Sequence, residues 1–294
     1  GTAAGGSASN FVITLNASAT AAIAERIIDN LTFRNTSNAP TVSRTLTYTV
    51  NDGGAGGVVL GATLGVTIIR DNDTPVMSAT TLGGTYTERN ATALQFVGGT
   101  ISVSDPDSPT SFNGGSLTVS LDTYVTGDRL SVLNQGSALG QIGVSGSTLS
   151  YEGTSFATTA GGNGADLVIT FNSATATPAA VQALLGRLRY GNTSNDNPTV
   201  NNTDTTRIFT VTLNDGANTF DPGADDSAAK TVQLTGTITI TPTADAPVIT
   251  AGNTTFTEGG AASTLSSGLT LSDTDDTQAV SATVQITANL QASF

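Results

Sequence analysis

The chain has 294 residues and a formal net charge of −13, from 10 Lys plus Arg against 23 Asp plus Glu. It contains no Cys, His or Trp and a single Lys, Lys230; thiol, imidazole and zinc chemistry are therefore excluded, and so is nucleic acid, whose phosphates need clustered cations. Charged residues are only 11% of the total, so Ser, Thr, Asn and Gly must wet the surface, as in secreted proteins.

Taken in chain order, Gly1-Thr-Ala-Ala-Gly-Gly6 has no signal-peptide pattern. Phe11-Val-Ile-Thr-Leu-Asn16 is followed by Thr20, a helix cap, and by Ile23, Ile27, Ile28 and Leu31 on one apolar stripe before Phe33. Asn51-Asp-Gly53 suits the positive-φ positions of a hairpin loop. The most apolar stretch, Val58 to Ile69, is broken by Gly61, Thr63, Gly65 and Thr67. That suits a strand, and no run of about 18 apolar residues predicts a membrane span.

Beyond Arg70-Asp-Asn-Asp-Thr-Pro75 come short alternating segments rich in Thr, Val and Ile. Strands are predicted at 85–88, 95–104, 116–122, 129–133, 141–144, 148–151, 167–171, 207–213 and 231–241. Exposed loops are predicted at 153–166 and 217–229. One segment breaks the rhythm: Thr177 caps a helix with Pro178 at its first position, and Val181, Leu184, Leu185 and Leu188 form its apolar stripe. It is expected to pack across an open end or edge of the strands.

These elements recur. Phe11–Asn16 returns as Leu167–Asn172, Asn35-Thr-Ser-Asn38 as Asn192-Thr-Ser-Asn195, and Asn51-Asp-Gly53 as Asn214-Asp-Gly216. Asp73-Thr-Pro-Val76 returns as Asp245-Ala-Pro-Val248, Tyr86-Thr-Glu88 as Phe256-Thr-Glu258, and Asp105-Pro-Asp107 as Asp273-Thr-Asp275. The order is conserved between copies spaced by about 156 to 172 residues, the signature of a tandem array. Residues 1–73 read as the C-terminal part of one repeat, 74–245 as a complete repeat, and 246–294 as the N-terminal part of the next. The expected fold class is all-β: tandem antiparallel β-sandwiches, each with one short α-helix.

The acids gather where repeats meet. Asp71, Asp73, Glu88, Asp105 and Asp107 group with the first junction, and Asp245, Glu258, Asp273, Asp275 and Asp276 with the second. Like charges at short range repel, and a cation reverses the sign. Oxygen donors without nitrogen or sulfur select a hard ion, and flexible loops favour Ca²⁺ over Mg²⁺. The Asp-x-Asp spacing places both carboxylates on one face of a strand end. The alternative is that Asp, Asn and Pro are simply common in turns.

At these residues the chain resembles cadherin-like domains: Arg70–Pro75 is similar to an acidic inter-domain linker, Glu88 to the early strand glutamate, and Asp105-Pro-Asp107 to the Asp-x-Asp pair after the linker. It departs from them in lacking an Asp-Arg-Glu segment, and its second linker, Pro242–Pro247, keeps one acid. The block Ala179–Ser194 with Phe209–Gly216 resembles cadherin-like repeats of large bacterial surface proteins (RTX-type adhesins) and chondroitin-sulfate-proteoglycan-type repeats. The resemblance implies an extracellular, cell-surface stalk or fibre of calcium-stiffened sandwiches in series, with Ca²⁺ at the repeat junctions.

The expected partners are neighbouring repeats or like subunits. A head-to-tail filament, joined through the partial repeats, is one alternative function. A second is a module that binds a cell-surface glycan or protein through its loops. An enzyme is not expected: four Glu spread along the chain give no glycosidase pair, and no His is available to activate Ser or Thr.

Overall fold

A computed structural model describes residues 1–54, 59–107, 111–193, 197–217, 228–266 and 268–288. The chain forms two compact units, Gly1–Ile68 and Ile69–Phe294. Among the described residues it is all-β, with two short helices.

The first unit contains β1 (Thr2–Ala4) and β2 (Val12–Thr14), paired antiparallel, then helix α1 (Ala21–Asp29), then β3 (Ser43–Asn51) and β4 (Val59–Thr67), also paired antiparallel. The two hairpins are separate two-stranded sheets. The Thr20 hydroxyl caps α1 by accepting from the Ile23 N–H at 3.4 Å. No residue of α1 is buried.

In the second unit the strands are β5 (Val76–Thr87), β6 (Leu94–Gln95), β7 (Val97–Ser104), β8 (Ser116–Leu121), β9 (Asp128–Val132), β10 (Ile142–Ser145), β11 (Thr148–Tyr151), β12 (Thr154–Gly161) and β13 (Leu167–Phe171). Helix α2 (Pro178–Leu185) follows, then β14 (Leu188–Asn192), β15 (Thr206–Asn214), β16 (Thr231–Thr241), β17 (Val248–Thr250) and β18 (Thr270–Ser272). Nine strands form one sheet in the order β10-β11-β12-β13-β8-β15-β16-β5-β7, and β6-β14-β9 form a second. Between them lies a core that includes Phe96, Phe112, Leu117, Val119, Phe156, Ile169, Phe171, Tyr190, Phe209 and Val211. This is a β-sandwich. The alternation of each strand accounts for it: β8 and β15 bury every second residue, as Leu117, Val119 and Leu121 and as Phe209, Val211 and Leu213.

α2 contacts β7 and β10, the two edge strands of the large sheet. It buries Ala180, Val181, Leu184 and Leu185, so its apolar face is covered where it meets both edges of the large sheet. Leu188, read as the end of the helical stripe, is instead the first residue of β14 and is fully buried.

β5 changes partner along its length. Val76–Leu82 pair antiparallel with β7, and Gly83–Thr87 pair parallel with β16. The switch falls at Gly83, whose φ is +119°, and a Cβ there would stand 2.2 Å from the Thr237 carbonyl oxygen.

The predicted exposed loop at 153–166 is corrected by the structure. It holds β12, with Phe156 and Ala157 fully buried. Most of the predicted loop at 217–229, including Asp221, Asp225 and Asp226, lies outside the described residues.

Candidate functional site

The acids predicted at the repeat junctions fall into two groups in the second unit, built on one plan. In each, an Asp-x-Asp segment leaves the end of a strand and folds back on itself. Asp107 N–H donates to Asp105 Oδ1 at 2.9 Å beyond β7, and Asp275 N–H donates to Asp273 Oδ1 at 3.3 Å beyond β18. These are Asx turns. The convergence of the two carboxylates therefore comes from turn hydrogen bonding and not from the pleat of a strand end.

The linker aspartate then meets the second Asp of the pair. Asp73 N–H donates to Asp107 Oδ2, and Asp245 N–H donates to Asp275 Oδ2 at 3.0 Å. Backbone and carboxylate thus bind each linker to the same turn in both copies.

The first group adds residues from across the sandwich. Asn72 is buried, and its Nδ2 donates to Asp215 Oδ2 at 3.1 Å and to the Ala228 carbonyl at 2.9 Å. Asp215 Oδ1 accepts from Lys230 N–H at 2.7 Å. Burial, opposed by these hydrogen bonds and assisted by the Asp105 charge, pushes the Asp215 carboxyl up to about 6. Burial, and next the negative charges of Asp107, Asp105 and Asp71, raise the carboxyl of Asp73 as well. Asp71 is exposed and contributes through that charge.

Glu88 joins the second group and not the first. It follows the end of β5, where that strand runs beside β16, so its N–H donates to the Thr241 carbonyl at 2.9 Å and its Oε2 accepts from Thr243 N–H at 2.7 Å. Arg89, at φ +60°, pairs with Asp245 Oδ1. Oxygens of Asp273, Asp275 and Asp276 lie within 4.8 Å of one another. The Asp275 carboxyl is raised by burial and by its hydrogen bond with Asp273, which in turn is held down chiefly by that same bond. Glu258 stands apart: it is exposed, and among the described residues no hydrogen bond or ion pair joins it to Asp245, Asp273 or Asp275. Its sequence counterpart is Glu88, in Tyr86-Thr-Glu88 against Phe256-Thr-Glu258.

Several oxygens in these groups are buried without a hydrogen-bond donor: Asp107 Oδ1 in the first, and Glu88 Oε1, Asp245 Oδ2 and Asp275 Oδ1 in the second. A buried carboxylate oxygen left unpartnered is costly, and a group that fills the vacant lone pairs relieves it. The donor set is all oxygen and strongly anionic, which fits a hard divalent cation.

The turn at Asp273 is also held from the body of the repeat, by Asn197 Nδ2 on the Thr274 carbonyl at 2.8 Å. The loop carrying Asn197 is anchored by Arg207, which is fully buried. Its Nε pairs with Asp128 Oδ2 at 2.7 Å, its Nη1 with Asp204 Oδ1 at 2.7 Å, and its Nη2 donates to the Pro198 carbonyl at 2.8 Å. Asp128 Oδ1 further accepts from Tyr190 Oη at 2.6 Å and from Asn192 Nδ2 at 2.9 Å.

Sequence reasoning missed Asn72, Asp215, Asn197 and this anchor. Asp215 was visible only as the middle of an Asn-Asp-Gly turn. The signal available was its repetition at Asp52, which points to a role beyond one turn.

No protein-family model matches the chain, and no curated protein matches it. Among solved structures it is similar to protocadherin gamma B2 extracellular cadherin domains 3–6, with a TM-score of 0.33 and 12% identity over 74% of this chain and 37% of that one. It is also similar to the protocadherin gammaB7 EC3-6 cis-dimer structure, with a TM-score of 0.29 and 13% identity over 71% of this chain and 36% of that one. The chain therefore spans little more than a third of the length of each.

Proposed function

We propose that the chain is an extracellular, cell-surface tandem-repeat segment whose junctions bind Ca²⁺ and are stiffened by it, so that β-sandwiches in series act as a stalk or fibre. The observation that carries this reading is the set of buried carboxylate oxygens without donors at both junctions. At the first junction Asp73, Asp105, Asp107 and Asp215 would hold the ion, with Asp71 contributing charge. At the second, Glu88, Asp245, Asp273 and Asp275 would do so. A cation would supply charge neutralisation; at the first junction it would join the linker to the turn after it and to Asp215, and at the second it would join the linker, Glu88 before it and the turn after it. The protein's own part is to converge these groups: the Asx turns aim the paired aspartates, and the linker N–H groups fix the second of each pair.

The composition agrees with an exported role, being low in charge and free of thiols that could oxidise. Thermal unfolding and small-angle scattering of the chain, in chelator and in millimolar Ca²⁺, test the reading. The melting temperature and the maximum dimension are both expected to rise with Ca²⁺, and Asp107→Asn with Asp275→Asn to suppress the response. A chain indifferent to Ca²⁺ in both measurements would refute it.

A further inference from the structure

One groove of the second unit is lined, among the described residues, by an arginine and by no acid. A bulge in β7 sets its floor. The register with β5 passes from Ala79↔Ile101 to Thr81↔Gly98, so Gly99 and Thr100 together stand opposite Thr80. Gly99 has φ +71°, and a Cβ there would lie 2.1 Å from Thr80 Oγ1, the atom that accepts from the Thr100 N–H at 2.9 Å. A bulge of this kind takes glycine at its first position. Gly98 beside it extends a strip of backbone without side chains, a device that lets another group approach closely. Between this strip and α2 lies a groove of about 460 Å³, the size of a small-molecule site, lined also by Gln95, Tyr151, Gln182 and Arg187.

The charge at this groove is uncompensated. Arg187 and Arg189 share the face of β14 that is turned away from the core, since Leu188 and Tyr190 are buried in it. Arg189 is only 8% exposed. Its Nη1 donates to the Gly186 and Leu188 carbonyls at 3.2 and 2.9 Å, which leaves Nε and Nη2 without a partner among the described residues. Arg187 Nε is buried with no hydrogen-bond partner. Among the described residues neither arginine forms an ion pair. Burial, and next the charge of Arg187, lower the pKa of Arg189. Glu152, whose charge reaches the Tyr151 hydroxyl, is bound to the Gly140 N–H at 2.9 Å and lies outside the lining. Buried charges are ordinarily paired, and a cation without its counter-ion marks a place for one. Nor does the repeat fold demand these residues. With Phe33 set on Tyr190, Arg187 and Arg189 fall on Asn30 and Thr32 in the other copy.

We propose that this groove binds an acidic saccharide, a sugar bearing a carboxylate or a sulfate, with Arg187 and Arg189 taking the anionic group and Gln95, Gln182 and Tyr151 the hydroxyls of the ring. The guanidinium fork matches carboxylate and sulfate oxygens in pairs. Amides both donate and accept, as sugar hydroxyls do. Gln95 Nε2 is engaged with the Val97 carbonyl at 3.0 Å, so its Oε1 is the atom left to accept from a hydroxyl. Amide, phenol and guanidinium groups over bare backbone suit a ring of hydroxyls more than the side chains of a peptide. The assignment is independent of Ca²⁺ at the junctions, and chelator keeps the two apart.

Amide NMR of the full 294-residue chain in chelator tests it, each probe being titrated from about 0.1 to about 50 mM at constant ionic strength. The probes are glucuronate and glucose 6-sulfate, compared with glucose, acetate, inorganic sulfate and an acidic tetrapeptide. The two acidic sugars are expected to shift the Gly98, Gly99, Gln182 and Gly186 amides, and to bind at least about tenfold more tightly than any of the comparison compounds. Arg187→Asn combined with Arg189→Thr, the residues of the other copy, is expected to weaken both sugars at least about tenfold with the melting transition kept. Should that variant fail to melt cooperatively, Gln182→Ala, at an exposed position of α2, carries the test with an expected loss of about threefold. No shift at the groove amides overturns the proposal, and so does undiminished binding by the variants. Glucose, the small anions or the acidic peptide binding as tightly as the acidic sugars overturns it as well.

Discussion

Asp215 illustrates how a single carboxyl reports on its junction. Its folded pKa of about 6 lies above the ordinary 3.8 because burial disfavours the charged form. A group whose pKa rises on folding adds stability below its unfolded pKa, and that stability is lost as pH rises through the folded value. In calcium-free buffer the difference in melting temperature between the chain and Asp215→Asn should therefore change between about pH 4 and pH 7, with the wild type losing ground as pH rises. Ca²⁺ should reverse the trend, since ligation needs the ionised form. Asp128 makes a different prediction. Removing it leaves Arg207 buried and charged, so Asp128→Ala should cost about 3 to 5 kcal/mol in denaturant unfolding. At this scale the sequence was half legible. The Asp-x-Asp pairs announce themselves because their turns are local. Asp215 meets Asn72 across 143 positions, and Asp128 meets Arg207 across 79; no periodicity marks such pairs.

The helices show how much an element owes to what covers it. α1 and α2 share a threonine cap and an apolar stripe, yet α2 buries four residues and α1 none. Leu184→Ala should therefore cost about 2 to 5 kcal/mol. Ile27→Ala, measured on the dilute chain, should stay within about 0.5 kcal/mol. Circular dichroism in urea, following each variant, separates the two. Both helices were legible because a threonine cap and an apolar stripe, joined in α2 by an N-terminal proline, are local signals. β12 was not. It is reached through a two-residue turn in which Glu152 and Gly153 both have positive φ, at +53° and +80°. Hairpin turns of that kind are signalled by Asn-Gly or Asp-Gly, and Glu-Gly does not announce one. The Gly-rich sequence 161–164 at the other end then made a buried strand read as a loop.

For the molecule as a whole, the repeat phase was the most legible feature, because tandem copies compare the sequence with itself. Of the acids it grouped, hydrogen bonds bring together Asp73, Asp105 and Asp107, and Asp245, Asp273 and Asp275; Glu88 lies instead beside Thr241 and Thr243, since sequence order does not reveal that the end of β5 runs alongside β16. The described core belongs to residues 77–240. Amide hydrogen exchange of the dilute chain should accordingly be graded, with β8, β13 and β15 protected to near the global unfolding free energy and the strands of residues 1–68 exchanging orders of magnitude faster. Equal protection in both would contradict this division.

The partner exchange of β5 has a mechanical consequence. The end of β5 lies beside the end of β16, in parallel, from Thr237↔Gly83 to Thr241↔Thr87. Tension applied through Asp73 and Asp245 pulls β5 toward its start and β16 toward its end, so the two slide against each other along their length. The ladder between them is loaded in shear, and its hydrogen bonds, shared across all five pairs, resist together instead of peeling one at a time. In the stalk proposed above, load would fall on this seam between β5 and β16.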